Sequence, residues 1–100
     1  MGDPRPLRLR YTHSALADIR QLAEYVGAHS PQSARRVSQR LRALIEHLPA
    51  QPLLGQRTDH PAIRRLTAWP YPYLIFYEVT QDDVIVHAVR HARRDPASMP

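Results

Sequence analysis

The chain has 100 residues, 43% of them apolar and 23% charged, with a formal net charge of +5. This is the composition of one globular domain, not of a disordered or fibrous chain. There is no cysteine, so disulfides and thiolate metal sites are excluded, and no apolar run approaches the roughly 18 residues a membrane-spanning helix needs.

Residues 1–6 (MGDPRP), with two prolines and a glycine, read as a loose N-terminal end. They lack the apolar stretch of a signal peptide, so a cytoplasmic protein with no membrane association is expected. Leu7, Leu9 and Tyr11 alternate with Arg8 and Arg10, the pattern of a short strand with one apolar face. Ser14 is placed to cap a helix, and Asp18 falls in its first turn, where the helix dipole favours a negative charge. Ala15, Ile19, Leu22, Ala23 and Val26 share one face of that helix, and Gly27 suits its C-terminal end. Ser30 and Pro31 then supply the cap and first-turn proline of a second helix. Its apolar stripe is Ala34, Val37, Leu41, Leu44, Ile45 and Leu48, with Arg35, Arg36, Arg40 and Arg42 outside it; Pro49 ends it. A short connector between two amphipathic helices predicts an αα-hairpin.

Residues 49–61 (PAQPLLGQRTDHP) hold three prolines and a glycine and read as a loop. Strands are predicted over 62–68, 72–79 and 84–90, the last two joined as a hairpin by TQDD at 80–83. In the middle strand Tyr73, Ile75, Tyr77 and Val79 share one face and Leu74, Phe76 and Glu78 the other. Both faces are largely apolar, which predicts a central strand. The order β-α-α-β-β-β predicts an α+β domain spanning 1–100, with an antiparallel sheet covered on one face by the helical hairpin. The other face is left partly open, where a partner can dock. Residues 95–100 read as a loose C-terminal tail.

All 14 cationic residues are arginine. The guanidinium fork suits carboxylate and phosphate, so an acidic protein or a nucleic acid fits this charge, although GC-rich codon usage is a sufficient account of the missing lysine. Nine of the arginines fall into three groups: the second helix, the Arg64–Arg65 pair, and the tail with Arg90, Arg93 and Arg94. Adjacent strands of one sheet would bring the second and third groups together, as a cationic edge for phosphate or a carboxylate-rich peptide. Tyr71, Tyr73 and Tyr77 are candidate stacking platforms, but Tyr73 and Tyr77 read more simply as core. Six histidines include His87 and His91 near the end of the last strand, either of which can serve as a general base. No metal-ligand spacing, nucleotide-binding loop or nucleophile motif occurs, so no metal and no cofactor are expected.

Five stretches together resemble the ParE/RelE superfamily of type II toxin–antitoxin toxins, on the ParE side. They are ALADIRQLAEYV (15–26), SPQSARRVSQRLRALIEHLPAQPLLG (30–55), IRRL (63–66), YPYLIFYEV (71–79) and VIVHAVRHARRDP (84–96). The resemblance implies a cognate antitoxin, a complex that is a heterotetramer or larger, and toxicity, with plasmid stabilisation as one role, when the antitoxin is lost. It implies no sequence-specific DNA binding by the toxin itself. RelE-type members cleave mRNA on the ribosome; ParE-type members are similar in fold but poison DNA gyrase. The catalytic arginine on the middle strand of RelE-like enzymes falls at Leu74 here. Arg94 matches the arginine after the last strand, and no C-terminal tyrosine is present. The resemblance therefore favours gyrase inhibition by binding rather than catalysis. Arg90, His91, Arg93 and Arg94 would then face the target, and Arg36, Arg40, Arg64, Arg65 and Tyr71 the antitoxin. The alternatives are a ribosome-dependent mRNA endoribonuclease using Arg65, His91 and Arg94, and a degenerate non-toxic module that only binds its antitoxin.

Overall fold

The structure, a computed structural model, describes residues 6–93. The expected loose ends at 1–6 and 95–100 lie outside those residues, apart from Pro6. The elements are β1 (Arg8–Tyr11), α1 (His13–His29), α2 (Pro31–His47), β2 (Gln56–Arg57), β3 (Ile63–Thr67), β4 (Tyr73–Val79) and β5 (Asp83–His91). They form one five-stranded sheet in the order β1-β5-β4-β3-β2, with both helices on one face.

Two features of the sheet differ from expectation. First, β1 pairs with β5 in parallel, Leu9 opposite Val84 and Tyr11 opposite Val86, so the sheet is mixed rather than antiparallel. Apolar alternation marks a strand but not its direction; the direction follows because the intervening elements act as one long crossover between the two strands. Second, a two-residue strand, β2, lies within the predicted loop and pairs Gln56 with Arg65 and Arg57 with Arg64. Two residues are too few to show a period.

The helix boundaries follow their caps. Thr12, not Ser14, caps α1: its Oγ1 accepts the Ala15 N–H at 3.0 Å. Asp18 therefore lies beyond the first turn. Gly27 stays inside α1, where a Cβ would lie 3.7 Å from the Ala34 Cβ of α2. Ser30 ends one helix and starts the next. Its backbone N–H donates to the Val26 carbonyl while its Oγ accepts the Ser33 N–H, and Pro31 opens α2.

The main core lies between helices and sheet: Ala15 and Leu22 of α1, Val37, Leu41 and Ile45 of α2, and Tyr73, Ile75, Val86 and Val89 of the sheet. A smaller cluster of Ile63, Leu74, Phe76 and Ala88 occupies the face away from the helices. Because β4 is the third of five strands, its residues from Tyr73 to Tyr77 are buried on both faces. Tyr77 also pins the loop before β2. Its hydroxyl donates to the Pro52 carbonyl (2.7 Å) and accepts the Gly55 N–H (2.8 Å). A Cβ on Gly55 would stand 2.8 Å from the Tyr77 ring and hydroxyl and 2.9 Å from the Arg65 carbonyl, so this approach requires glycine.

Candidate functional site

Pairing with β1 ends at Val86, after which the chain turns into α1 and leaves the outer edge of β5 without a strand. Asp18 covers that edge: its Oδ2 accepts the Val89 N–H at 3.0 Å and Arg90 Nη1–H at 2.8 Å. Arg90 pairs across the strands with Leu74, yet its guanidinium reaches to α1. Its Nε is buried with no hydrogen-bond partner. His91 follows, its ring edge-on to Tyr73 at 5.3 Å, and its Nδ1 accepts the Arg93 N–H at 3.1 Å. A groove between α1 and this strand end is lined by Asp18, Leu22, Tyr25, Tyr73, Arg90 and His91. The structure thus brings Arg90, His91 and Arg93 together; Arg94 lies outside the described residues.

The turn between β3 and β4 stands at the same end of the sheet. The Ala92 N–H donates to the Pro72 carbonyl, the Tyr71 N–H donates to the Ala68 carbonyl, and the Tyr71 side chain packs partly on the main core. The Trp69–Pro70 peptide is cis. Arg40 of α2 donates from Nε to the Trp69 carbonyl at 2.7 Å. Arg36 is exposed one helical turn earlier on the same side.

Arg64 and Arg65 do not join the β5 arginines. The expectation required β3 and β5 to be neighbours, but β4 lies between them, a separation of roughly 10 Å. Nor do the two act together, because successive strand residues point to opposite faces. Arg64 donates from Nη1 to the Gly55 carbonyl (2.7 Å), bracing the Tyr77 network, while Arg65 donates from Nη2 to Gln56 Oε1 at 3.3 Å.

The uncovered sheet face carries a pair that sequence reasoning missed. Cross-strand pairs follow Tyr77–Val86 and then Phe76–Ala88, so His87 is an extra residue in β5. Its Nε2 lies 2.8 Å from Glu78 Oε1, both side chains about one-third exposed. The row Arg10, Ile85, Glu78 and Ile63 runs across the strands beside them, and Arg65 stands opposite Phe76 in the next row. The hairpin at TQDD already placed Glu78 across from the start of β5; the bulge that brings His87 to it leaves no mark in the sequence. His87 and His91, read as near neighbours, have separate surroundings. Among the described residues, no group of three or more metal-binding side chains is placed to hold an ion, and no helix is long and apolar enough to cross a membrane.

A family model described as the ParE toxin of the type II toxin–antitoxin system parDE matches residues 9–96. Toxin RelE2 of Caulobacter vibrioides is 36% identical over 84 residues, 84% of this chain and 93% of that protein. Among solved structures, the chromosomal ParDE system of P. aeruginosa superposes with a TM-score of 0.77 at 21% identity, covering 87% of this chain and 97% of that one. The toxin–antitoxin complex RelBE2 of Mycobacterium tuberculosis superposes with a TM-score of 0.57 at 20% identity, covering 87% and 99%. The two structural likenesses concern the fold, which carries both ParDE and RelBE names. The family match extends over most of the described structure, from β1 through β5. The chain belongs to the ParE toxin family of type II toxin–antitoxin systems within the ParE/RelE superfamily.

Proposed function

We propose that this toxin acts by binding DNA gyrase and holding it with its DNA cleaved, and that a cognate antitoxin neutralises it in the cytoplasm. The observation that carries this reading is the centre of the uncovered sheet face. Leu74, standing where RelE-like enzymes carry a catalytic arginine, is 7% exposed and packed with Ile63, Phe76 and Ala88. Cleaving RNA requires fixed positive groups where charge develops on the phosphate. An apolar centre supplies none. In this reading Arg90, His91, Arg93 and Arg94 meet the target. An acidic antitoxin segment runs over α2 and the turn at 68–72, reaching Arg36, Arg40 and Tyr71. Arg65 lies on the uncovered face, and Arg64, held by Gly55, contributes through the loop it braces. Relatives solved as toxin–antitoxin complexes support the antitoxin as partner.

The His87–Glu78 pair favours a second reading, ribosome-dependent mRNA cleavage. A carboxylate 2.8 Å from the imidazole orients it as a general base would need, and Arg10 and Arg65 flank it.

The test adds purified toxin to gyrase, ATP and relaxed plasmid, with products run before and after protein denaturation. Linear plasmid released by denaturation is the expected result. Unimpaired supercoiling by folded toxin, together with cuts in ribosome-programmed mRNA that His87→Ala abolishes, would replace the gyrase reading by the second.

A further inference from the structure

Trp69 is the only tryptophan in the chain and is 72% exposed, the most exposed of the large apolar side chains among the described residues. An indole left in water at this turn buries little apolar surface for the fold and stays available to a ligand. The turn that carries it is fixed on three sides. Arg40 holds the Trp69 carbonyl, the Ala68 carbonyl accepts the Tyr71 N–H, and the Pro72 carbonyl accepts the Ala92 N–H from the end of β5. The indole is therefore presented by a rigid support rather than by a mobile loop.

The charge around it has one sign. Arg36 and Arg40 lie on the side of α2 that meets the turn, and Arg93 follows Ala92 at the end of β5. Residues 31–45 of α2, the turn at 68–72 and residues 91–93 contain no aspartate or glutamate. None of these three arginines has an ion-pair partner among the described residues. Arg40 spends its Nε on the Trp69 carbonyl, which leaves its terminal nitrogens available.

An aromatic face beside unpaired guanidinium groups has the chemistry that single-stranded nucleic acid requires: one base stacks on the ring and the flanking phosphates take the cations. We propose that the Trp69–Arg40–Arg36 corner is a sequence-independent contact for single-stranded nucleic acid. An acidic protein segment would satisfy the arginines equally, but it offers no planar base to stack on the exposed indole. The corner is on the helix side of the sheet end, separate from the His87–Glu78 pair. The proposal holds whichever target the toxin has, and an antitoxin segment lying over Arg36 and Arg40 would compete for it.

Because Trp69 is the sole indole, its emission reports contact directly. The full chain is titrated with an oligothymidylate and an oligouridylate of about eight nucleotides. Both are expected to quench it, and the tighter of the two identifies DNA or RNA as the natural source. With labelled oligonucleotide and anisotropy as readout, Trp69→Ala weakens binding about tenfold, while Trp69→Phe retains most of it. Arg36→Ala lowers the slope of log affinity against log salt by about 0.7, the value for one phosphate contact to a single strand. Circular dichroism melting checks that each variant folds, as expected for exposed positions. Unchanged emission, or full affinity in folded Trp69→Ala, would overturn the proposal. So would quenching by a poly-glutamate peptide with none by either oligonucleotide, which would leave the corner to an acidic protein segment alone.

Discussion

Tyr77 shows how one hydroxyl organises a segment with almost no regular structure. It is fully buried on β4, and its oxygen joins Gly55, which Arg64 also holds, and Pro52 to the sheet. Tyr77→Phe keeps the ring but leaves the Gly55 N–H and the Pro52 carbonyl without their partner, at a cost of about 1–3 kcal/mol. Urea denaturation of the two proteins is expected to show this difference. The same site predicts an alkaline limit. Burial pushes the Tyr77 phenol above its ordinary value of 10.0, against the hydrogen bond to Gly55 and the charge of Arg64, which lower it. The unfolded chain therefore loses this proton first as pH rises. The stability contributed by the neutral phenol is complete below about pH 10 and is lost as pH climbs through the raised native value. Tyr77→Phe flattens part of that decline. Tyr11, also raised chiefly by burial, contributes in the same direction.

Among the elements, the helices were the most legible. The apolar stripes of α1 and α2 and the Ser30–Pro31 junction are local properties, and the buried residues Leu22, Val37, Leu41 and Ile45 fall on those stripes. The central place of β4 was legible too, since both of its faces are apolar. The edge of β5 was not. Asp18 reads as a first-turn acid, whereas it caps an amide and an arginine some 70 residues away, and no local pattern encodes that distance. The candidate site suffered similarly: Arg90, His91 and Arg93 cluster by sequence proximity alone, but pairing Arg64 and Arg65 with them assumed a strand order that β4 interrupts. Asp18→Ala removes the acceptor from the Val89 N–H and the counter-charge from Arg90, whose side chain is about one-third exposed, which costs roughly 1–3 kcal/mol. Asp18→Asn keeps an acceptor for the amide and is expected to lose less. Hydrogen exchange at the Val89 amide separates the two effects, being fast in Asp18→Ala and slower in Asp18→Asn.

At the scale of the whole molecule, the first and last strands meet in the sheet. Arg8 donates from Nε to the largely buried Asp83 at 3.0 Å across 75 residues, and Leu9 sits opposite Val84 and packs against both clusters on the helix side. The rest of the sheet is built locally, β3 on β4 and β4 on β5 through short turns, and the helices pair through the Ser30 junction. Closing the long segment between β1 and β5 costs chain entropy before any contact offsets it. The β1–β5 ladder should therefore form after the helical hairpin and the three antiparallel strands have assembled. Leu9→Ala tests this order. Leu9 is half-buried, so the truncation is expected to destabilise by about 1–2 kcal/mol, below the range for a fully buried leucine. If the ladder forms late, nearly all of that loss enters the unfolding rate, which rises about tenfold while folding slows less than about twofold. Stopped-flow urea chevrons measure both limbs. A folding limb slowed as much as the unfolding limb is accelerated would instead place the β1–β5 ladder in the nucleus, making the pairing of the first and last strands an early event.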